Sequence, residues 1–226
     1  MKGFGTYENF KDRLYRKEAY LQWGHSENTL GVILLHNPGS VALKNKKLWT
    51  EINNGKVNIA FGELDILQND PLIRVKDIIE YAFEEPDGRL YIYNLFNLVD
   101  SNRQTAYETY EKIMNETPTE LLYPVLEKLI DSPWIWLAWT VSPPNKIYVK
   151  SYENLALQMI QELEATRNFN YIGWLKDETH PETGYSIYPY YPPAPYHNSP
   201  VCVEEYKKEI ARQIRELTIR TQTKSK

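Results

Sequence analysis

Three groups of side chains have the types and spacing to do chemistry. The first is His36-Asn37-Pro38-Gly39-Ser40, a polar turn that closes the apolar run Leu30-Gly31-Val32-Ile33-Leu34-Leu35. The Asn37 amide offers both a donor and an acceptor, so it can orient a water or read the edge of a planar ligand. The same amide can also bond only its own backbone in an Asn-Pro turn. The second group is Asp70 and Arg74, one helical turn apart, with Lys44 earlier in the chain as a further cation. Asp70 can cap the helix it begins, or act as a general base if its pKa is raised. Arg74 can hold an anion or a carbonyl. The third is Asn94 and Asn97 at the end of a second apolar run, where an unpaired buried amide costs about 1–3 kcal/mol and therefore demands a partner.

Other chemistries lack their residues. His36, His180 and His197 are scattered, and the chain has neither a His-Glu-x-x-His helix nor a cysteine pair, so no metal is expected. No phosphate-cradling Walker loop, dinucleotide fingerprint or Gly-x-Ser-x-Gly elbow occurs, and no cofactor is expected.

The elements that must position these groups follow from periodicity. Leu30 to Leu35 reads as a strand buried on both faces, the centre of a sheet. Tyr15 to Trp23 alternates weakly and reads as an edge strand. Leu90 to Phe96, Trp134 to Thr140 and Tyr171 to Trp174 supply three further strands. Asp70-Pro71 opens a helix with an apolar face of Val75, Ile78, Ile79, Ala82 and Phe83. Thr117-Pro118-Thr119-Glu120 is a capping box, and Ser151 caps another helix. A last helix carries Val203, Tyr206, Ile210, Ile214 and Leu217, then frays over 221–226. Val41 to Ile52 has mixed helical spacing, and 56–69 reads as loop. Strands alternating with helices predict one α/β domain over 1–226, with a core from about 13 to 220. The expected architecture is a three-layer sandwich around a short, mainly parallel central sheet. Open sheets of this kind bind ligands beyond the carboxyl ends of their strands, which places Asn37, Asp70, Asn94 and the residues after Trp139 around one pocket.

Composition narrows the partners. A net charge of −4 gives no bulk attraction to nucleic acid, although Lys44, Lys46 and Lys47 follow the central turn closely. The single Cys202 permits no internal disulfide, and Met1 to Phe10 shows no signal-peptide pattern; a reducing, cytoplasmic setting is expected. No apolar run approaches the roughly 18 residues that cross a bilayer, so no membrane partner is expected. Eighteen tyrosines and six tryptophans are a heavy aromatic load. The stretch Tyr188-Pro189-Tyr190-Tyr191-Pro192-Pro193-Ala194-Pro195-Tyr196-His197 can form a stiff stacking wall for a base, or a loop held down by its own rings.

Five of these motifs occur in the order found in a bacterial and phage family, domain of unknown function 1643. Leu35-His36-Asn37-Pro38-Gly39-Ser40 resembles its Met-Leu-Asn-Pro-Ser-Thr strand end, and Asp70-Pro71-Leu72-Ile73-Arg74 its Asp-Pro-Thr helix start followed by arginine. Tyr93-Asn94-Leu95-Phe96, Ala138-Trp139-Thr140 and Ile172-Gly173-Trp174 match the later strands. The departures are His36 at an apolar position, Gly39 inside the triplet, Thr140 for a glycine, and Tyr188-Pro189-Tyr190 where a late His-Pro-Leu is usual. The layout is also similar to the uracil-DNA glycosylase superfamily, at fold level. These resemblances imply a glycosylase-like fold and a site that takes a nucleobase, nucleotide or single-stranded nucleic acid. In that reading Asn37 and Asp70 are catalytic, while His36, Pro38, Ser40, Lys44, Arg74, Asn94, Asn97, Trp139, Tyr190 and His197 contact the ligand. The alternative is a non-catalytic module that docks a protein partner through its tyrosine- and proline-rich surface.

Overall fold

A computed structural model describes residues 1–68, 70–125, 129, 132–138, 149–166, 170–173 and 200–224. Its first feature is a long hairpin, β1 (Lys2–Phe10) with β2 (Arg13–Trp23). Lys11 and Asp12 turn the chain with φ of 51° and 60°. Positive φ at both central residues matches the twist of the flanking strands. The third strand, β3 (Thr29–Leu35), is followed by helix α1 (Lys46–Asn53) and strand β4 (Ile59–Glu63). Helix α2 (Pro71–Ala82) and strand β5 (Gly88–Asn94) come next, then helices α3 (Arg103–Ile113) and α4 (Thr119–Leu122). Strand β6 (Ile135–Leu137), helix α5 (Val149–Thr166), strand β7 (Tyr171–Ile172) and helix α6 (Pro200–Lys224) complete the described chain.

The strands form one mixed sheet in the order β4-β1-β2-β5-β3-β6-β7. The half from β5 through β3 and β6 to β7 is parallel, whereas β4, β1, β2 and β5 pair antiparallel. The α/β class therefore holds, but the sheet is mixed rather than mainly parallel. The amino-terminal hairpin makes the difference. In β1 the inward positions include Gly3 and Gly5, so the apolar alternation that marks a strand is nearly silent there. A Cβ on Gly3 would lie 2.6 Å from Ile66 Cδ1, at the tip of a side chain that would have to shift. With β1 in place, β2 is interior, not an edge, and the edge is the short β4 within a segment that reads as loop.

Strand β3 buries both faces. Ile33 joins one apolar cluster with Leu90, Ile92, Trp134 and Trp136, roofed by α2 and α6. Val32 and Leu34 join a second with Tyr93, Ile135 and Leu137, against α3, α4 and α5. Leu72, Val75, Ile78 and Ile79 carry the α2 contact, and each such side chain contributes about 1.5–3 kcal/mol when removed from water. Helix α2 begins as its sequence predicts, with Asp70 accepting from Leu72 N–H at 2.8 Å and Pro71 in the first turn. The expected capping box at Thr117 does not form. Helix α4 starts after Pro118 without a side-chain cap and ends at Tyr123, whose extended backbone is what the following Pro124 demands. The expected fray from Thr221 is helical through Lys224. Among the described residues, no helix is long and apolar enough to cross a membrane.

Candidate functional site

The carboxyl ends of β3 and β5 are stitched together by one amide. Leu95 N–H is shared between Leu35 O at 2.9 Å and His36 O at 3.0 Å. Around this junction the interior changes character. The buried polar or charged residues among those described are Arg16, His36, Asn94, Asn97 and Ser132. Ser132 bonds Trp134 O at the start of β6. The other four gather at the ends of β3 and β5, Arg16 being brought in by its N–H bond to Asn97 O at 2.9 Å.

Arg16 owes its direction to a β-bulge. The β1–β2 register runs Thr6↔Glu18 and then Tyr7↔Arg16, which leaves Lys17 as the extra residue. A bulge re-aims the side chains beyond it. Arg16 therefore turns toward the face of Ala19 and Leu21, while Lys17 stays partly exposed and pairs with Glu8 at 3.1 Å. Only 2% of Arg16 is accessible. Its Nη2 donates to Asn94 Oδ1 across a long 3.5 Å, and its buried Nε and Nη1 have no hydrogen-bond partner.

Two titratable groups feel the same guanidinium charge. Tyr7 donates its hydroxyl to Val41 O at 2.5 Å; burial raises its pKa, and the nearby Arg16 charge opposes the rise. Burial also lifts the Asp70 carboxyl above its ordinary value, against the Leu72 N–H bond and the Arg16 charge. That is the direction a general base near neutrality requires.

A second cluster holds the turn after β3. His36 Nδ1 lies 3.0 Å from Asn37 Oδ1, and Asn37 Nδ2 donates to Asp100 O at 2.9 Å. With the amide so oriented, the imidazole proton belongs on Nδ1, and neutral Nε2 accepts from the Tyr107 hydroxyl. The His36 ring also stands edge-on to Phe96 at 5.3 Å. Asp100 in turn accepts from Asn102 N–H and Thr105 Oγ1 at the start of α3. Asn37 thus ties β3 to the start of α3, using one amide N–H and one lone pair of its oxygen.

The remaining candidates disperse. Pro38 is buried and Ser40 exposed. Gly39 has φ of 66°, with open space where a Cβ would stand. Lys44 pairs with Glu63 at 3.0 Å beside β4. Arg74 sits half-buried in the first turn of α2. Asn97 donates to Leu121 O at 3.1 Å, and its own Oδ1 is buried without a partner. Trp139, Tyr190 and His197 lie outside the described residues.

Known proteins offer no match. No family model, curated protein or solved structure aligns with the chain.

The geometry thus brings Asn94 to Arg16, whose charge Asp70 also feels, and His36 and Asn37 to Tyr107 and Asp100. Arg16, Tyr7 and Tyr107 are the residues that sequence reasoning misses. Arg16 sits between Tyr15 and Lys17 in a strand that reads as exposed, and no pattern announces a bulge. Among the described residues, no three His, Cys, Asp or Glu side chains group as metal ligands. What the junction offers is a buried positive charge, two amides and a carboxyl of raised pKa.

Proposed function

We propose that the protein is an enzyme or binder for a nucleobase or nucleotide, taken up at the carboxyl ends of β5 and β3. The observation that carries this reading is that, of the five buried polar or charged residues among those described, Arg16, His36, Asn94 and Asn97 gather at that junction. Ligands of α/β sheets bind beyond strand carboxyl ends, and a pocket with a few convergent polar groups and a perturbed carboxyl is the default site. Asn94 and the spare valences of Asn37 suit a base edge, Arg16 and Arg74 suit its charged part, and Asp70 suits proton transfer. The resemblance to domain of unknown function 1643, a three-layer glycosylase-like arrangement and a cytoplasmic setting belong to the same reading. Thermal-shift screening of the full chain against nucleosides, nucleotides and short single-stranded DNA tests it. A ligand at 100 times its Kd adds about 2.7 kcal/mol of stability, and flat responses across all three classes retire the proposal.

One observation favours a second reading, a docking module. Phe61, Phe4, Tyr20 and Tyr91 form a row across β4, β1, β2 and β5, with successive ring centroids 6.0, 5.3 and 5.8 Å apart. Phe61 is 55% exposed. A row of half-buried rings ending in an exposed Phe61 suits a protein partner, and Phe61→Ser with Tyr20→Ser leaving ligand responses intact while abolishing co-purification of that partner supports it.

A further inference from the structure

We infer that Arg16 anchors an oxyanion site, in which its unpartnered guanidinium edges hold a phosphate or carboxylate group of the ligand at the carboxyl end of β5. The inference rests on the pocket proposed above and names the charged part of what enters it.

Arginine is almost never fully buried unless paired. Here Nε carries one N–H and Nη1 carries two, and neither nitrogen finds an acceptor within a side chain that is 2% accessible. Buried donors are nearly always satisfied, so a group left open at a strand end points to something that binds there.

The groups around it do not neutralise it. Tyr7 spends its hydroxyl proton on Val41 O and turns only a neutral oxygen toward Arg16, and Asn94 meets Nη2 only at 3.5 Å. Asp70 directs Oδ1 to Leu72 N–H instead, and burial raises its pKa. A neutral carbonyl would satisfy donors but leave the charge uncompensated in a low-dielectric site, which is costly. An oxyanion answers both demands, with charge-assisted bonds to a planar group suited to it. The bulge at Lys17 is the backbone device that aims the charge inward.

Calorimetric titration of the full chain tests this with four probes at matched ionic strength: inorganic phosphate, acetate, a neutral nucleoside and its 5′-monophosphate. Saturable binding of phosphate or acetate is expected, and whichever binds more tightly identifies the oxyanion. Arg16→Met should weaken that binding about 10- to 100-fold, as the loss of a charge-assisted bond does. Asp70→Asn keeps the helix cap and cannot ionise, so at a pH high enough for wild-type Asp70 to be charged it should tighten anion binding; it also decides the question should Arg16→Met fail to fold. Absence of saturable anion binding, wild-type affinity in folded Arg16→Met, or unchanged or weakened binding in Asp70→Asn at that higher pH overturns the inference. The two readings separate cleanly. Arg16-dependent phosphate binding with no gain from an attached nucleoside keeps the oxyanion site and retires the nucleotide. Nucleoside and nucleotide binding alike that ignore Arg16→Met do the reverse.

Discussion

Asn94, the last residue of β5, offers its side-chain oxygen to Arg16 Nη2 across 3.5 Å, from the end of one strand to the bulge of its antiparallel neighbour. The contact is long for a hydrogen bond, and the neutral Tyr7 hydroxyl is the other side-chain group that meets the guanidinium among the described residues. Asn94→Leu removes the contact and leaves the guanidinium without its amide partner. A loss of about 1–3 kcal/mol in urea unfolding is expected, whereas Asn94→Asp should recover stability by pairing directly with the guanidinium. Equal stabilities of wild type and Asn94→Leu would mean that Arg16 is satisfied by another group.

Helix α2 allows the cap and the charge of Asp70 to be separated. Asp70→Ala deletes the bond to Leu72 N–H and should cost about 1 kcal/mol. Asp70→Asn retains a good cap but cannot ionise. Because burial raises the folded-state pKa, the folded protein binds a proton more readily than the unfolded chain. Ionisation therefore works against folding: stability falls as pH rises from the ordinary aspartate value of 3.8 through the raised one. The difference in stability between wild type and Asp70→Asn should grow in favour of the variant across that window and then level off. A difference that runs the opposite way would place the folded pKa below the ordinary value.

Both of these residues were legible in the sequence, and for physical reasons. Asp70-Pro71 satisfies a helix start with two residues whose backbone preferences agree, and Asn94 stands at the end of an apolar run where an amide is conspicuous. The parallel half of the sheet was legible too, since β3 buries both faces and reads as an unbroken apolar run. The antiparallel half was not. Gly3 and Gly5 hide the inward side of β1, and β4 is short with Ile59 and Phe61 turned outward. Arg16 was invisible because its burial depends on a one-residue bulge, and a slip of one residue reverses every side chain beyond it. Asn37 was visible as a polar tip, but its partners Asp100 and Tyr107 come from distant sequence.

Gly31 has a packing reason that the sequence alone does not show. A Cβ at that position would stand 2.3 Å from the Trp134 ring. Gly31→Ala should therefore displace Trp134 and cost about 1–3 kcal/mol, the usual penalty of overpacking. A thermal melt read by tryptophan fluorescence checks it, and a wild-type midpoint would show that the ring has room to move.

The turn after β3 is held by Asn37, so Asn37→Ser should lower stability by about 1–2 kcal/mol through loss of the bond to Asp100 O. If the spare valences of Asn37 also meet the ligand, the nucleotide Kd should rise by about tenfold or more in the same folded variant. Lower stability with unchanged affinity would confine Asn37 to tying β3 to α3.

The central claim is a location, the junction of the β3 and β5 carboxyl ends, and residue-resolved NMR tests it most directly. Titrating a nucleoside 5′-monophosphate into the isotopically labelled full chain should shift the amides of Arg16, His36, Asn37, Leu72, Asn94, Leu95 and Asn97 most strongly. The aromatic row of Phe4, Tyr20 and Phe61 should stay still. Shifts confined to that row, or no saturable shift at the junction, would contradict the account.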